Sequence, residues 1–220
     1  KAIRASKNPM IIAGGGVIYA NAHESLQAFV EKTGIPIGVS QAGMGSLPWD
    51  HAQNLGAVGA TGTFAANRAA AKADVIIGIG TRYSDFTTAS RTAFRNPDVK
   101  FVNINIAAFD ANKHGSAIPV VADANAALLE LLEVVGDVQV SDSYRSEYTG
   151  NKTQWDAVVV ESFADKKLAQ PSQAEIIGAV QQSSSPRDVV ICAAGSLPGD
   201  LHKLWRVRDS LGYYVEYGYS

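Results

Sequence analysis

The chain has one cysteine among its 220 residues, Cys192, so neither a disulfide framework nor a thiolate metal site is available to it. It also lacks a charge excess. Nineteen Lys and Arg stand against 21 Asp and Glu, for a net charge of −2. With no basic cluster, this argues against a nucleic-acid footprint. No apolar run approaches membrane-spanning length, and no signal peptide is visible. Four histidines, His23, His51, His114 and His202, are scattered without ligand spacing, which leaves no metal site to expect. No G-x-S-x-G elbow, low-complexity tract or internal repeat occurs. "NKT" at 151–153 matches a glycosylation acceptor, which means nothing without a secretory route. The single thiol and missing leader fit a reducing cytoplasm. What is there is a globular composition, 46% hydrophobic and 18% charged, able to bury a core. The chain starts at Lys1 without Met and ends on "YVEYGYS" with no closing element, and so reads as a piece of a longer protein.

Apolar, β-rich runs recur at 10–13, 35–39, 55–58, 74–80, 99–106 and 118–122. Helical patterns lie between most of them. In 22–33, Leu26, Phe29 and Val30 share a face, Asn21 and Glu24 have capping-box spacing, and Gly34 then Pro36 stop the helix. Residues 64–73 are Ala-rich and helical. In 124–135, Ala124, Ala127, Leu128, Leu131, Leu132 and Val135 keep i, i+3, i+4 spacing, with Asp123 as N-cap and Gly136 beyond the end. Nearly continuous apolar strands alternating with helices predict a parallel sheet covered on both faces. Residues 1–135 therefore read as one doubly wound α/β domain in strand order 3-2-1-4-5-6. Its core is expected to hold Ile11, Ile12, Val75, Ile77, Phe101, Val102 and Ile104.

Residues 137–154 are polar with no sustained period and read as a linker, so the boundary is placed over 136–154. Helices follow near 155–166 and 172–182, the second capped by Ser172 after Pro171. Then come a buried strand "VVICAA" with Cys192 as a buried small hydrophobe, a turn into a helix near Pro198, and a strand "YYVEYG". Residues 155–220 thus read as the incomplete start of a second α/β domain.

Four stretches invite a chemical reading. "AGGGVIYANAHE" (13–24) places glycines between a strand and a helix, as dinucleotide sites do. Gly14 and Gly16 supply two fingerprint glycines, but Tyr19 stands at the third position. Gln41 stands where an acid would hold the ribose. A tight turn explains the glycines better. "LGAVGATGT" (55–63) and "GTRYSDF" (80–86) follow strand ends, where open parallel sheets bind ligands, although plain loop geometry serves equally. In "VVICAAGSLPGDLHKLW" a strand runs through Gly195–Ser196 into a helix start, an arrangement that favours phosphate.

The segments "NPMIIAGGGV", "TGIPIGVSQAGMGSLPWDH", "LGAVGATGT", "ADVIIGIGTRYSD" and "FVNINI" appear in the order and at roughly the spacings of one family. The chain resembles the central domain of the thiamine diphosphate-dependent enzymes that include acetolactate synthase and pyruvate oxidase. Residues 171–220 resemble the start of that family's diphosphate-binding domain. "AAGSLPGDLHKLW" with "VEYGYS" is similar to one subfamily, the trihydroxycyclohexanedione hydrolases of myo-inositol degradation. The resemblance implies a Rossmann-like body, with thiamine diphosphate and Mg²⁺ as cofactors of the full-length enzyme. The implied reaction opens a cyclic 1,2-diketone to a deoxy-glucuronate. It also implies N- and C-terminal domains outside this chain, and a homo-oligomer. The family's activating Glu lies on the N-terminal domain, and its Gly-Asp-Gly metal motif has no match here, so this chain alone is expected to be inactive. Gly195, Ser196 and Ser220 are the positions the resemblance assigns to the cofactor; none is assigned to catalysis or metal. Central domains of the family carry FAD, ADP or nothing. Binding members have Asp on the fifth strand, where this chain has Asn103 and Asn105, while Arg82 and Asp85 keep part of the pattern. No tight FAD or NAD is expected at the glycine turn. The rival readings are an acetolactate synthase-like lyase and a free-standing nucleotide-binding module.

Overall fold

The structure is a computed structural model that describes all residues except 114, 116, 117, 168, 194 and 217–220. After a short helix α1 (Ala2–Ala5), strand β1 (Pro9–Ala13) is buried along its whole length. A short helix α2 (Gly15–Tyr19) and then α3 (His23–Thr33) lead to β2 (Ile37–Val39), a 3₁₀ turn (Gln41–Gly43) and β3 (Asn54–Ala57). Helix α4 (Phe64–Lys72), β4 (Val75–Ile79), α5 (Asp85–Thr88), β5 (Lys100–Asn105), α6 (Ala108–Ala111), β6 (Ile118–Val121) and α7 (Ala124–Val134) complete this part. The strands form one parallel sheet in the order β3-β2-β1-β4-β5-β6. This is the doubly wound parallel sheet expected from the apolar runs, in the expected strand order, and the Rossmann-like body that the resemblance implies. Ile11, Ile12, Ile76, Ile77 and Ile79 are fully buried because β1 and β4 lie at the centre of the sheet, with neighbours on both edges. Phe101 is half-buried, and its ring meets Tyr83 and Phe94 edge-on.

Helix α3 packs on α7, and α4 on a long helix α8 (Asp142–Phe163). Gly34 stops α3 in the left-handed conformation, and the Asp123 carboxylate accepts from the Asn125 and Ala126 amides to cap α7, both as expected. The expected capping box at Asn21 and Glu24 does not form. Ala22 is the N-cap of α3, and Asn21 sits at φ +49° in the turn out of α2, a short helix that the glycine reading did not include.

Helix α8 replaces the predicted linker over most of 137–154, and the helix expected from 155 begins at Asp142. Ser141 caps it by accepting from the Tyr144 amide. Tyr144 and Tyr148 bury their rings against the first part of the chain. Their hydroxyls donate to the Pro9 carbonyl at 3.1 Å and to the Gly34 carbonyl at 2.9 Å. These two tertiary anchors, with Trp155 and Val159 further along, hold a helix that polar residues dominate. Helix α9 (Gln173–Ser183) starts with a complete capping box between Ser172 and Glu175. Strand β7 (Val190–Cys192), helix α10 (Ser196–Leu204) and strand β8 (Tyr213–Val215) follow, and β7 and β8 pair in parallel. The strand expected to be buried is covered on one face only. Cys192 is buried as expected, but Ile191 is 76% exposed, because nothing among the described residues packs over the outer face of this two-stranded sheet.

Candidate functional site

In the sheet order, connections leave β1 and β4 in opposite directions, which opens a crevice at their carboxyl ends. Here the crevice is a cavity of about 900 Å³. The turns after β1, β2 and β4 form its floor, and the start of α10 forms the facing wall. Tyr19, Phe86 and Ile106 stand exposed at its margin, and Arg82 extends from the loop after β4.

The glycine turn meets backbone. A Cβ on Gly14 would lie 2.4 Å from the Gly80 carbonyl oxygen, and one on Gly16 2.5 Å from the Gly80 Cα. The Gly14 amide donates to the Ile79 carbonyl (2.9 Å) and the Gly16 amide to the Gly80 carbonyl (3.0 Å). Two amides that a diphosphate would need are therefore spent on the end of β4. The glycines serve the close crossing of two strand-to-helix turns.

Gln41, Asn103 and Asn105 all carry amides, and in all three the amide donates to a backbone carbonyl. Asn105 Nδ2 donates to the Thr81 carbonyl at 3.1 Å, while its Oδ1 accepts from the Ala107 amide at 3.0 Å. Asn103 Nδ2 donates to the Ala111 and Lys113 carbonyls, both at 3.3 Å, and its buried Oδ1 has no partner among the described residues. Gln41 Nε2 donates to the Pro198 carbonyl at 2.9 Å, and its Oε1 accepts from the Tyr213 hydroxyl at 2.8 Å. An ionised carboxylate only accepts, so Asp or Glu could not replace any of these donors. Arg82 lies on the cavity margin, and Asp85 sits in the first turn of α5.

Gly195 and Ser196 both line the α10 wall. Gly195 is the N-cap at φ +128°, a conformation that other residues rarely adopt, and a Cβ there would meet nothing within 4 Å among the described residues. Among the described residues no side chain caps α10, so its first-turn N–H groups have no side-chain acceptor there. Ser220 lies outside the described residues, as does His114.

His202 was set aside in the sequence as one of several scattered histidines. It is 3% exposed, and it ties α10 to the first part of the chain. Its Nδ1 meets the Thr61 hydroxyl at 2.8 Å and its Nε2 meets the Val39 carbonyl at 3.2 Å. Because Val39 offers only an acceptor, Nε2 carries the proton and Nδ1 accepts from Thr61. Burial lowers its pKa to about 4, against the opposing pull of the Val39 carbonyl, so the ring is neutral near pH 7. The only local signal was its place on the inward stripe of α10 with Pro198, Leu201 and Leu204. Among the described residues no group of three or more His, Cys, Asp or Glu could hold a metal ion. No helix there is long and apolar enough to cross a membrane.

Comparison with known proteins adds to this geometry. The thiamine pyrophosphate enzyme central domain matches residues 1–131. A 3D-(3,5/4)-trihydroxycyclohexane-1,2-dione hydrolase of Bacillus cereus (strain AH820) is 40% identical over 99% of this chain and 37% of its own length. Proteins of the same name from Bacillus anthracis (strain CDC 684 / NRRL 3495) and Bacillus thuringiensis (strain Al Hakam) are 39% and 40% identical over the same shares. The chain spans about 37% of the length of these relatives.

Proposed function

Because the chain belongs to the thiamine diphosphate-dependent enzymes through their central domain, we propose that it is part of a longer hydrolase that opens a cyclic 1,2-diketone ring. The substrate reading rests on the relatives named trihydroxycyclohexanedione hydrolase, which match nearly the whole chain. The observation that carries the cofactor reading is the start of α10. Among the described residues the first-turn donors are uncapped and face a cavity, and Gly195 leaves the space above them open. Donors in that arrangement suit a diphosphate.

When bound, thiamine diphosphate supplies an electron sink that lets a carbon–carbon bond beside a carbonyl break. The chain's own part is to bind and orient. The backbone N–H groups of Gly195 to Leu197 and the Ser196 hydroxyl would hold the diphosphate, and Ser220 is assigned to the cofactor by resemblance alone. No described residue is assigned as a general base, and none fits Mg²⁺, so both belong to the longer protein. Residues 155–220 are assigned to the start of the diphosphate-binding domain, and 1–135 to the central domain. With the glycine-turn amides spent on β4 and amides at Gln41, Asn103 and Asn105, the central domain holds no tight FAD or NAD. A cytoplasmic homo-oligomer completes the reading.

The test is calorimetric titration of thiamine diphosphate into the full-length protein and its Gly195→Val variant, beside a ring-opening assay with the cyclic diketone and a condensation assay with pyruvate. Weakened cofactor binding in a folded variant, with turnover of the diketone alone, supports the proposal. Unchanged affinity reduces Gly195 to a turn residue. Turnover of pyruvate in place of the diketone assigns a lyase.

A further inference from the structure

Gln41 has both ends of its carboxamide engaged, and both partners lie more than 150 residues away in the chain. Cys192 Sγ at the end of β7 donates to the Tyr213 hydroxyl on β8 at 3.5 Å. Tyr213 donates to Gln41 Oε1 at 2.8 Å, and Gln41 Nε2 donates to the Pro198 carbonyl at 2.9 Å. This makes one directional relay. It begins at Cys192, three residues before Gly195, and ends at Pro198 in the first turn of α10, two residues after Ser196. Chain on either side of Gly195 and Ser196 is thereby referred to one residue, Gln41, in the turn after β2.

The chemistry at position 41 is narrowly determined. A tyrosine hydroxyl must be accepted on one side and a carbonyl must be donated to on the other. A neutral carboxamide does both from one side chain, which neither a carboxylate nor an apolar side chain can do. A glutamate would keep the first contact and set oxygen against oxygen at the second. A methionine would fill the space and make neither. His202 makes the second crossing, from the middle of α10 to Val39 and Thr61, and it limits the translation of the helix. With the helix middle held there, the Gln41 contact at Pro198 ties the first turn to the end of the sheet, beside the Gln173 contact to Asp200.

We propose that Gln41 is a positioning residue for the cofactor's diphosphate. Through Pro198 and Tyr213 it sets the first turn of α10, and with it the donors of Gly195 to Leu197, toward the cavity. The proposal rests on the anchor reading of Gly195 and Ser196. It gives a reason for the missing acid at the end of β2: the position serves the helix that faces the crevice, and a carboxylate there would also repel a diphosphate.

The experiment uses the full-length protein. Thiamine diphosphate and thiamine are titrated into wild type, Gln41→Met, Tyr213→Phe, the double variant, Gly195→Val and, as a distant control, Gln154→Met. Gln41→Met is expected to weaken thiamine diphosphate by about tenfold, a factor equal to ~1.4 kcal/mol, and to leave thiamine binding within about twofold of wild type. Tyr213→Phe is expected to lose about threefold. The double variant should lose no more than Gln41→Met alone, because both act through one relay. Amide hydrogen exchange without cofactor should quicken over 196–204 in Gln41→Met, while β1 and β4 keep wild-type protection. Loss of binding in Gly195→Val with wild-type affinity in Gln41→Met overturns the positioning role alone. Wild-type affinity in both overturns the anchor reading as well. Equal loss for thiamine and thiamine diphosphate overturns the role by showing general damage. If Gln41→Met fails to fold, Tyr213→Phe decides: diphosphate-selective loss supports the relay, and wild-type affinity overturns it.

Discussion

Replacing Asn105 by aspartate exchanges one atom, and it separates a structural amide from a nucleotide-binding acid. Asn105 is 7% exposed at the end of β5. In Asn105→Asp, one carboxylate oxygen would take the place of Oδ1 on the Ala107 amide, so that bond is kept. The other oxygen would face the Thr81 carbonyl, which now accepts an N–H at 3.1 Å. A buried acceptor loses its donor and meets a second acceptor, a cost of about 2 kcal/mol. In a chain of this length that lowers Tm by about 4–8 °C near neutral pH. The penalty belongs to the ionised form. A protonated carboxyl can donate to Thr81, so the folded-state pKa of the introduced carboxyl rises above its unfolded value of about 3.9. A raised carboxyl pKa means that the destabilisation is absent below the unfolded pKa, grows as pH rises through the folded pKa and is then constant. A penalty of about 2 kcal/mol equals about 1.5 pKa units, so the gap should be complete above about pH 6 and nearly closed at pH 4. Urea denaturation of both proteins at pH 4 and pH 7.5 measures it. An Asn105→Asp variant as stable as wild type at pH 7.5, or an equal gap at both pH values, refutes the structural role of this amide.

Ile77→Ala, in the fully buried centre of β4, should cost about 2–5 kcal/mol by leaving a cavity between β1 and β5, as read from denaturant midpoints. His202 titrates at about 4 when folded and near its ordinary 6.5 when unfolded, so protonation favours the unfolded chain. Its contribution is complete above pH 6.5 and is lost as pH falls through 4, about 3 kcal/mol in all. His202→Gln should flatten that part of the stability–pH curve, and a curve of unchanged slope between pH 6.5 and 4 would refute the neutral buried histidine.

The sheet was legible in the sequence because its strands are short apolar runs, and the helices between them carry stripes that need no distant partner. Helix α8 was not, since only Tyr144, Tyr148, Trp155 and Val159 mark its inner side amid polar residues, and two of them are held by carbonyls of residues 9 and 34. A stripe search tolerant of polar neighbours would have found that spacing. The opposite occurred at β7, where an apolar run predicted a buried strand and the described residues cover one face of it. At the site, the substitution of amides for acids was visible, but what the amides do was not. Gln41 bonds to residues 157 and 172 positions away, and His202 to Val39, 163 positions away. Such pairings are products of the fold and leave no local period.

The docking of α8 bears on how this architecture could be exchanged among its relatives. A cut just after α7 falls close to the end of the match to the family's central domain at residue 131. It would leave the sheet layer whole and still strip two tyrosine rings from its surface. The carbonyls of Pro9 and Gly34 would lose their donors, and the slots beneath would open to water. A chimaera that imports this central domain therefore has to bring residues through Phe163 with it, or resurface the exposed strip. The inheritable module is longer than its sheet by one helix of about 33 Å.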